Sequence, residues 1–152
     1  ALADSTLHYS NSIGLLHHLK HLDLEDNHIS VFPDHFVRLR KLETLNLSKT
    51  FLTRLSGLEG CAKLSTLNLG YCNLGPDAAA VEDAAALPRL STLDVQHNKL
   101  EDGDGMLALA ARMPALRVLY CQAWTTSPPP SPLALALATL EVLHAAVGPP
   151  RS

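Results

Sequence analysis

Residues Leu90–Leu100 read LSTLDVQHNKL, and the pattern LxxLxLxxNxL of this stretch returns along the chain. Two copies, LETLNLSKTFL from Leu42 and LSTLNLGYCNL from Leu64, carry Thr or Cys in place of the asparagine, whereas LKHLDLEDNHI from Leu19 keeps it. A fifth, degraded copy, LRVLYCQAW, begins at Leu116. The copies begin 22 to 26 residues apart. Copies at such intervals indicate one structural unit that is stacked several times.

The spacing within each copy predicts a short strand. The fourth and sixth residues are Leu or Val in all four full copies, and residues two apart on a strand point to the same face. Stacked copies therefore form a parallel sheet with an inward leucine ladder, and the ninth residue satisfies backbone groups where the chain leaves the strand. This is the leucine-rich-repeat pattern. We predict an α/β leucine-rich-repeat solenoid, with a short parallel β-sheet on its concave face and 3₁₀ or α-helical returns on its convex face.

The returns between the strands differ in length. After Leu64 and Leu90 they are Ala-rich and end at proline, PDAAAVEDAAALP over 76–88 and EDGDGMLALAARMP over 101–114, which predicts a convex-side helix in each. Residues 125–152 are rich in Pro, Ala and Leu. We therefore predict a repeat domain over residues 1–124 and a low-complexity tail over 125–152, with one helix over 133–147 that covers the exposed leucine edge.

Composition excludes several classes of function. The 152 residues carry 12 basic and 15 acidic side chains, a net charge of −3, without the basic face that a phosphate-backbone binder needs. The longest apolar run, residues 133–147, is shorter than the roughly 20 residues that span a bilayer. Three cysteines without a CxxC pair suggest a reducing compartment. We expect a cytoplasmic protein that binds neither nucleic acid nor membrane.

Three small motifs could carry chemistry, and each has a simpler structural interpretation. EDGDG resembles the start of a calcium loop, but a loop from Asp102 places Met at positions five and twelve, where oxygen ligands are needed. We interpret Asp102 or Asp104 as the cap of a helix that begins near Gly105. The cluster of His17, His18 and His21 is predicted to be solvated rather than to bind zinc.

Cys72 occupies a ninth position, which predicts an inert thiol in a turn. The sequence contains no GxSxG turn and no phosphate-binding glycine loop. We therefore predict no catalytic residues, no metal and no cofactor, and a protein that is not an enzyme.

The register also predicts the exposed concave face, which the third, fifth, seventh and eighth residues of each copy should line, Ser48 and Gly70 among them. We select ten of these residues as candidates for protein binding: Asp23, Glu25, Asn46, Lys49, Asn68, Tyr71, Asp94, Gln96, His97 and Tyr120. Two interpretations stay open. The face is either merely soluble, or a docking strip for a partly basic protein segment in which Tyr71, His97 and Tyr120 are anchors.

One family shares more than the general pattern. LSTLDVQHNKLED, followed by a predicted helix and MPALRVL, resembles the closing repeats of the axonemal dynein assembly factor 1 family, which read LDLSHNKLSD, helix, MPDLRVL. The resemblance covers about residues 7–121. Its specific matches are Asp94, His97, Asn98, Lys99, Leu100, Asp102, Met113, Pro114, Leu116, Arg117, Val118 and Leu119.

The resemblance implies a role. Members of that family are cytoplasmic, non-enzymatic proteins that help to preassemble dynein arms for motile cilia, with their repeats as a protein-binding platform. The partners implied here are dynein or chaperone components, and we expect a monomer. An axonemal dynein light chain or a phosphatase-regulatory repeat protein is the alternative. After RVL the family continues with an LxGNPV-like turn, whereas this chain reads YCQAWTTSPPPSP.

Overall fold

The computed structural model of the chain describes residues 15–31, 36, 38–76, 78–100, 103–123 and 142–147. It contains a six-stranded sheet in which every strand lies parallel to the next along the chain. The strands are β1 (His21–Asp23), β2 (Thr44–Asn46), β3 (Thr66–Asn68), β4 (Thr92–Asp94), β5 (Val118–Ala123) and β6 (Val142–Val147). The predicted α/β leucine-rich-repeat solenoid is confirmed.

The leucine ladder sets the register of the sheet. Leu45 of β2 pairs with Leu67 of β3, and Leu67 pairs with Leu93 of β4. These three side chains are at most 1% exposed, whereas Leu22 at the first strand is only half-buried. Because a shift by one residue would turn the whole ladder to solvent, burial of one face fixes the pairing. The inward orientation predicted for the fourth and sixth positions is confirmed.

The ninth residue closes each turn, as the sequence predicts. The Asn98 amide donates to the carbonyl oxygens of Leu69, Val95 and Gln96 at 2.7, 3.0 and 3.2 Å, and its Oδ1 accepts from the Leu74 amide at 3.1 Å. One side chain thus satisfies four backbone groups in two neighbouring repeats.

Threonine and cysteine replace asparagine in the two middle repeats with fewer bonds. Thr50 Oγ1 donates to the Leu47 carbonyl at 2.8 Å, and Cys72 Sγ donates to the same carbonyl at 3.1 Å. Neither side chain has a second polar group for the backbone amide that Asn98 also satisfies.

The return after β3 is a helix, but of the tighter 3₁₀ type, over Ala78–Ala86. Val81 interrupts it with φ −124° and ψ 16°. Just before this break, the Ala80 carbonyl accepts the Leu55 amide of the preceding return at 2.7 Å. The break in the helix that the Ala-rich sequence favours therefore lies next to a hydrogen bond between neighbouring returns.

The return after β4 contains helix α1, Gly103–Ala111. It begins two residues before the predicted start at Gly105, so Asp104 lies inside the helix and is not its cap. Asp102, the other predicted cap, is outside the described residues. The Arg112 guanidinium contacts the Glu82 carboxylate at 2.6 Å and so links the end of α1 to the middle of the preceding 3₁₀ helix.

The sheet continues beyond the predicted repeat domain. Val142–Val147 form β6, which pairs in parallel with β5, and not the end of the helix predicted over 133–147. Residues 133–141 lie outside the described residues. The physical reason for the strand is the open edge of β5, whose backbone donors and acceptors gain hydrogen bonds when another strand is added. The boundary predicted at residue 124 remains a prediction.

Candidate protein-binding face

A column of polar side chains crosses the sheet on the face opposite the leucine ladder. Parallel pairing aligns the fifth residue of each repeat with that of the next, which brings together Asp23, Asn46, Asn68, Asp94 and Tyr120. Beside it runs the column of third residues, His21, Thr44, Thr66, Thr92 and Val118. We call these two columns the concave face. The register thus assembles the fifth-position column that the sequence predicts.

The fifth residues also have a structural task that the sequence analysis missed. The Oδ1 atoms of Asp23, Asn46, Asn68 and Asp94 each accept the backbone amide of the residue two positions later, at 2.9 to 3.1 Å. These Asx turns end each strand and fix the side-chain orientation. The signal was present in the sequence, since all four full repeats carry Asp or Asn at this position.

Two seventh residues, Ser48 and Gly70, were predicted to line the exposed face, but both are buried. Ser48 is 6% exposed and donates through Oγ to Asn46 Oδ1 at 2.8 Å, so it does not project toward a partner. Gly70 is also buried. A Cβ atom at Gly70 would lie 3.2 Å from Asn68 Oδ1, so the missing side chain leaves room for the Asx turn that Asn68 makes with the Gly70 amide.

Charge on this side of the molecule is uneven. Lys49 and Glu25 pair at 2.6 Å, and Glu25, by hydrogen bonding and by charge, raises the pKa of Lys49. Within the described part of the chain, neither Asp23 nor Asp94 forms an ion pair. The concave face therefore presents two uncompensated carboxylates.

Five of the ten candidate residues, Glu25, Lys49, Tyr71, Gln96 and His97, lie in the turns after the strands instead of in the strands. Lys49, Tyr71 and His97 occupy the turns after β2, β3 and β4, where each has a positive φ of 55 to 57°. The Tyr71 and His97 rings stack with their centroids 4.1 Å apart. Gln96, in the last of these turns, is half-buried. The structure thus divides the candidate residues between the concave face and the adjoining turns.

One histidine of the cluster, His18, lies beside a lysine, whose ammonium group is not a metal ligand. His18 Nδ1 lies 2.9 Å from the Lys41 ammonium. Across the described ranges, no group of three or more His, Cys, Asp or Glu side chains is placed to hold a metal ion. In that same part of the chain, no helix is both long and apolar enough to cross a membrane.

All three thiols have a raised pKa, mainly because burial disfavours the thiolate. The pKa values of Cys61 and Cys121 rise to about 11, and the charges of Glu59 and Asp94 respectively add to the effect. Burial raises the pKa of Cys72 despite its hydrogen bond to Thr50. These thiols are protonated at neutral pH, as expected for inert cysteines.

The buried thiols predict a loss of stability in alkali. Between pH 9 and 11 an unfolded chain has lost the Cys61 and Cys121 protons while the folded chain still holds them, so the unfolding free energy falls as pH rises. We expect on the order of 1–2 kcal/mol per thiol, measured by urea unfolding from pH 8 to pH 11. The double variant Cys61→Ala/Cys121→Ala should lack this part of the slope. An equal slope in both proteins would contradict the assignment.

Comparison with known proteins agrees with this fold. Residues 17–74 match the family model described as Leucine rich repeat. The chain is similar to the alpha subunit of geranylgeranyl transferase type-2 from Mus musculus, with 35% identity over 93 residues that cover 61% of this chain and 16% of that subunit. It is also similar to adenylate cyclase from Schizosaccharomyces pombe, with 32% identity over 60% of this chain and 6% of the cyclase.

Among solved structures, a leucine-rich-repeat protein of Leptospira interrogans aligns with 90% of this chain and 33% of its own, at 29% identity and a TM-score of 0.70. This chain therefore spans a small part of each protein that it resembles. The matches cover the repeats, in line with the stacked strands and the ninth-position hydrogen bonds described above. By its repeats and its fold, the chain is a leucine-rich-repeat solenoid that is similar to these proteins.

Proposed function

We propose that the chain is a non-enzymatic module that binds a protein partner on its concave face. The supporting observation is the fifth-position column, which parallel register aligns over five strands. The Asx turns hold four of its side chains in place before any partner arrives. A surface ordered in advance loses less conformational entropy on binding. Solenoids commonly bind on this side because stacking makes it broad and continuous.

Charge favours a particular chemistry for the partner. The uncompensated carboxylates of Asp23 and Asp94 suit a protein segment that carries Lys or Arg. The same charges disfavour nucleic acid, because a phosphate backbone would meet anions where it needs cations.

Asp94 offers a test that separates charge from structure. Asn68 makes the same Asx turn with an amide, so Asp94→Asn should keep the fold and remove only the charge. We expect a loss of affinity of about three- to tenfold for Asp94→Asn and a larger loss for Asp94→Lys, as is typical for a charged contact in an interface. The measurement is the dissociation constant for a partner recovered by cross-linking and then purified.

The matched control is Glu59→Lys, which makes the same charge change at an exposed position in the return after β2. It should leave the affinity unchanged. Unchanged binding by both Asp94 variants would move the site away from the concave face and toward the convex returns.

A more specific role rests on the sequence resemblance over about residues 7–121: cytoplasmic preassembly of axonemal dynein arms, with dynein or chaperone components as partners. Immunoprecipitation from the cytoplasm of ciliated cells should then recover dynein heavy or intermediate chains. Stable residence in the axoneme would instead support the light-chain alternative. Recovery of a phosphatase catalytic subunit would support the regulatory-subunit alternative.

A further inference from the structure

A row of positive side chains lies at the end of the sheet where the chain enters the strands. In each of the five repeats, a two-residue turn precedes the first leucine of the pattern, and the amide of that leucine closes the turn with a hydrogen bond of 3.0 to 3.4 Å. The second residue of this turn is Lys41, Lys63 and Arg89 in the second, third and fourth repeats. All three side chains are exposed. We call these three residues the entry row.

The entry row has a regular geometry. Just after it, the amides of Glu43, Ser65 and Ser91 each donate to the carbonyl of the equivalent residue in the preceding repeat, at 2.7 to 2.9 Å. Because the same turn recurs in stacked repeats, its residues lie one strand spacing of about 4.8 Å apart, and the row is about 10 Å long. At one end, the Lys41 ammonium donates to Nδ1 of His18, the equivalent residue of the first repeat, at 2.9 Å. Side chains of neighbouring repeats therefore meet along this row.

The positive charge of the entry row is not balanced by ion pairs. Within the described residues, none of its three cations pairs with a carboxylate. Glu43, at the entrance to β2, is engaged by the Lys20 ammonium at 3.1 Å. That hydrogen bond is the main reason that the pKa of Glu43 is lowered, and the charge of Lys63 adds to the effect. The strand entrances therefore carry a surplus of positive charge, opposite in sign to the carboxylates at the other end of the strands.

The length of the entry row selects among anionic partners. A protein that binds a phosphate backbone tightly neutralises about six to ten phosphates, whereas the row offers only a few cations on a chain whose net charge is −3. Carboxylates on one face of a helix are a closer match. Acidic residues at i, i+4 and i+7 extend over about 10 Å at the helical rise per residue, which is also the length of the row.

We propose that the entry row binds an acidic helix of a partner protein, whose carboxylates at i, i+4 and i+7 pair with Lys41, Lys63 and Arg89. The helix lies across the strands and along the row, so that each carboxylate meets the cation of one repeat. Exposed ion pairs are weak one by one, and three that form together on ordered turns add up to a specific contact. This site goes beyond the proposed function, because it uses other side chains and a partner segment of the opposite charge.

A synthetic peptide provides the test on the full chain. The probe is an Ala- and Gln-rich peptide of about 20 residues, long enough to be partly helical, with its glutamates at i, i+4 and i+7. Titration at low salt, where the Debye length is roughly 30 Å, is followed by the amide NMR signals of the chain and yields the dissociation constant. We expect the signals of Lys41, Lys63 and Arg89 to shift, and the affinity to fall as salt is added.

Variants of the chain separate the entry row from general attraction between charges. Lys63→Glu, at the centre of the row, should weaken binding of the peptide about tenfold, because a repulsion replaces an attraction. Lys63→Gln removes only the charge and should weaken binding about threefold. The matched control is Lys99→Glu, which makes the same charge reversal at an exposed position near the other end of the strands. It should leave the affinity unchanged, and circular dichroism should be the same for all variants.

Two further probes test the chemistry of the partner. A peptide of the same composition with its glutamates at i, i+5 and i+6, which point in different directions around the helix, should bind at least about threefold more weakly. A short oligothymidylate of equal charge should also bind more weakly than the first peptide.

Three results would overturn the proposal: no shift of the entry-row signals with the first peptide, equal binding of the two peptides, or tighter binding of the oligothymidylate. Equal losses in Lys63→Glu and Lys99→Glu would overturn it as well. None of these results bears on the proposed function, because an acidic probe is repelled by the Asp94 carboxylate.

Discussion

Replacing Leu67 with alanine is expected to lower the free energy of unfolding by about 3–5 kcal/mol. Leu67 lies at the centre of β3, is 0% exposed, and pairs in register with Leu45 and Leu93. The substitution removes buried apolar surface and leaves a cavity that the strands on both sides cannot close without breaking their own pairing. Urea unfolding followed by circular dichroism measures the change.

Leu22→Ala is the matched control for Leu67→Ala. Leu22 holds the same fourth position in β1 but is only half-buried, so less apolar surface is removed from contact. We expect a cost of about 1 kcal/mol there, in proportion to the smaller burial. Equal losses at the two positions would show that the ladder does not gain its stability from burial in the middle of the sheet.

Replacing Asn98 with leucine, which is similar in size but apolar, is expected to cost about 3 kcal/mol or more. The change removes three donated hydrogen bonds, to Leu69, Val95 and Gln96, and one accepted from the Leu74 amide. These backbone groups are held by the turn and lose the partner that Asn98 provides, although the Gln96 carbonyl still accepts the Tyr71 amide at 2.9 Å. Because they belong to two repeats, the loss weakens the contact between repeats as well as the turn itself.

Asn98→Thr should be less severe. Thr50 fills the ninth position of the second repeat and bonds the Leu47 carbonyl at 2.8 Å, so a hydroxyl can replace part of the asparagine network. We expect this variant to fall between the unchanged chain and Asn98→Leu in unfolding free energy. Indistinguishable stability of Asn98→Leu and the unchanged chain would refute the role assigned to the ninth residue.

The sequence predicted those features that every repeat must satisfy separately. Burial of residues such as Leu45 and Leu47 follows from a spacing of two on a strand, and the alignment of Asn46 with Asn68 follows from stacking the copies in register. The polar concave column was predicted for the same reason. The exposure of the fifth residue does not reveal that its Oδ1 atom also accepts a backbone amide two residues later.

The sequence was less reliable at two positions where hydrogen bonds of the fold differ from the local pattern. Ser48 occupies a position predicted to be exposed, yet the short side chain folds back onto Asn46. The Ala-rich return over Ala78–Ala86 is a 3₁₀ helix interrupted at Val81, although alanine has the highest α-helical propensity. In the first case the departure is a local hydrogen bond to Asn46, and in the second the interrupted helix accepts the Leu55 amide of the preceding return.

The sequence by itself determined the repeat, its inward leucines and the residues that close its turns. Side chains two residues apart on a strand share a face, and equivalent residues recur once in each repeat, so both periods can be read directly from the order of residues. Only the tertiary structure decided that Tyr71 stacks on His97 and Phe51 on His28, across repeats that are more than 20 residues apart in the chain. The same is true of the positive φ shared by the four eighth residues. These features depend on backbone hydrogen bonds between neighbouring repeats, which do not exist until the repeats are stacked.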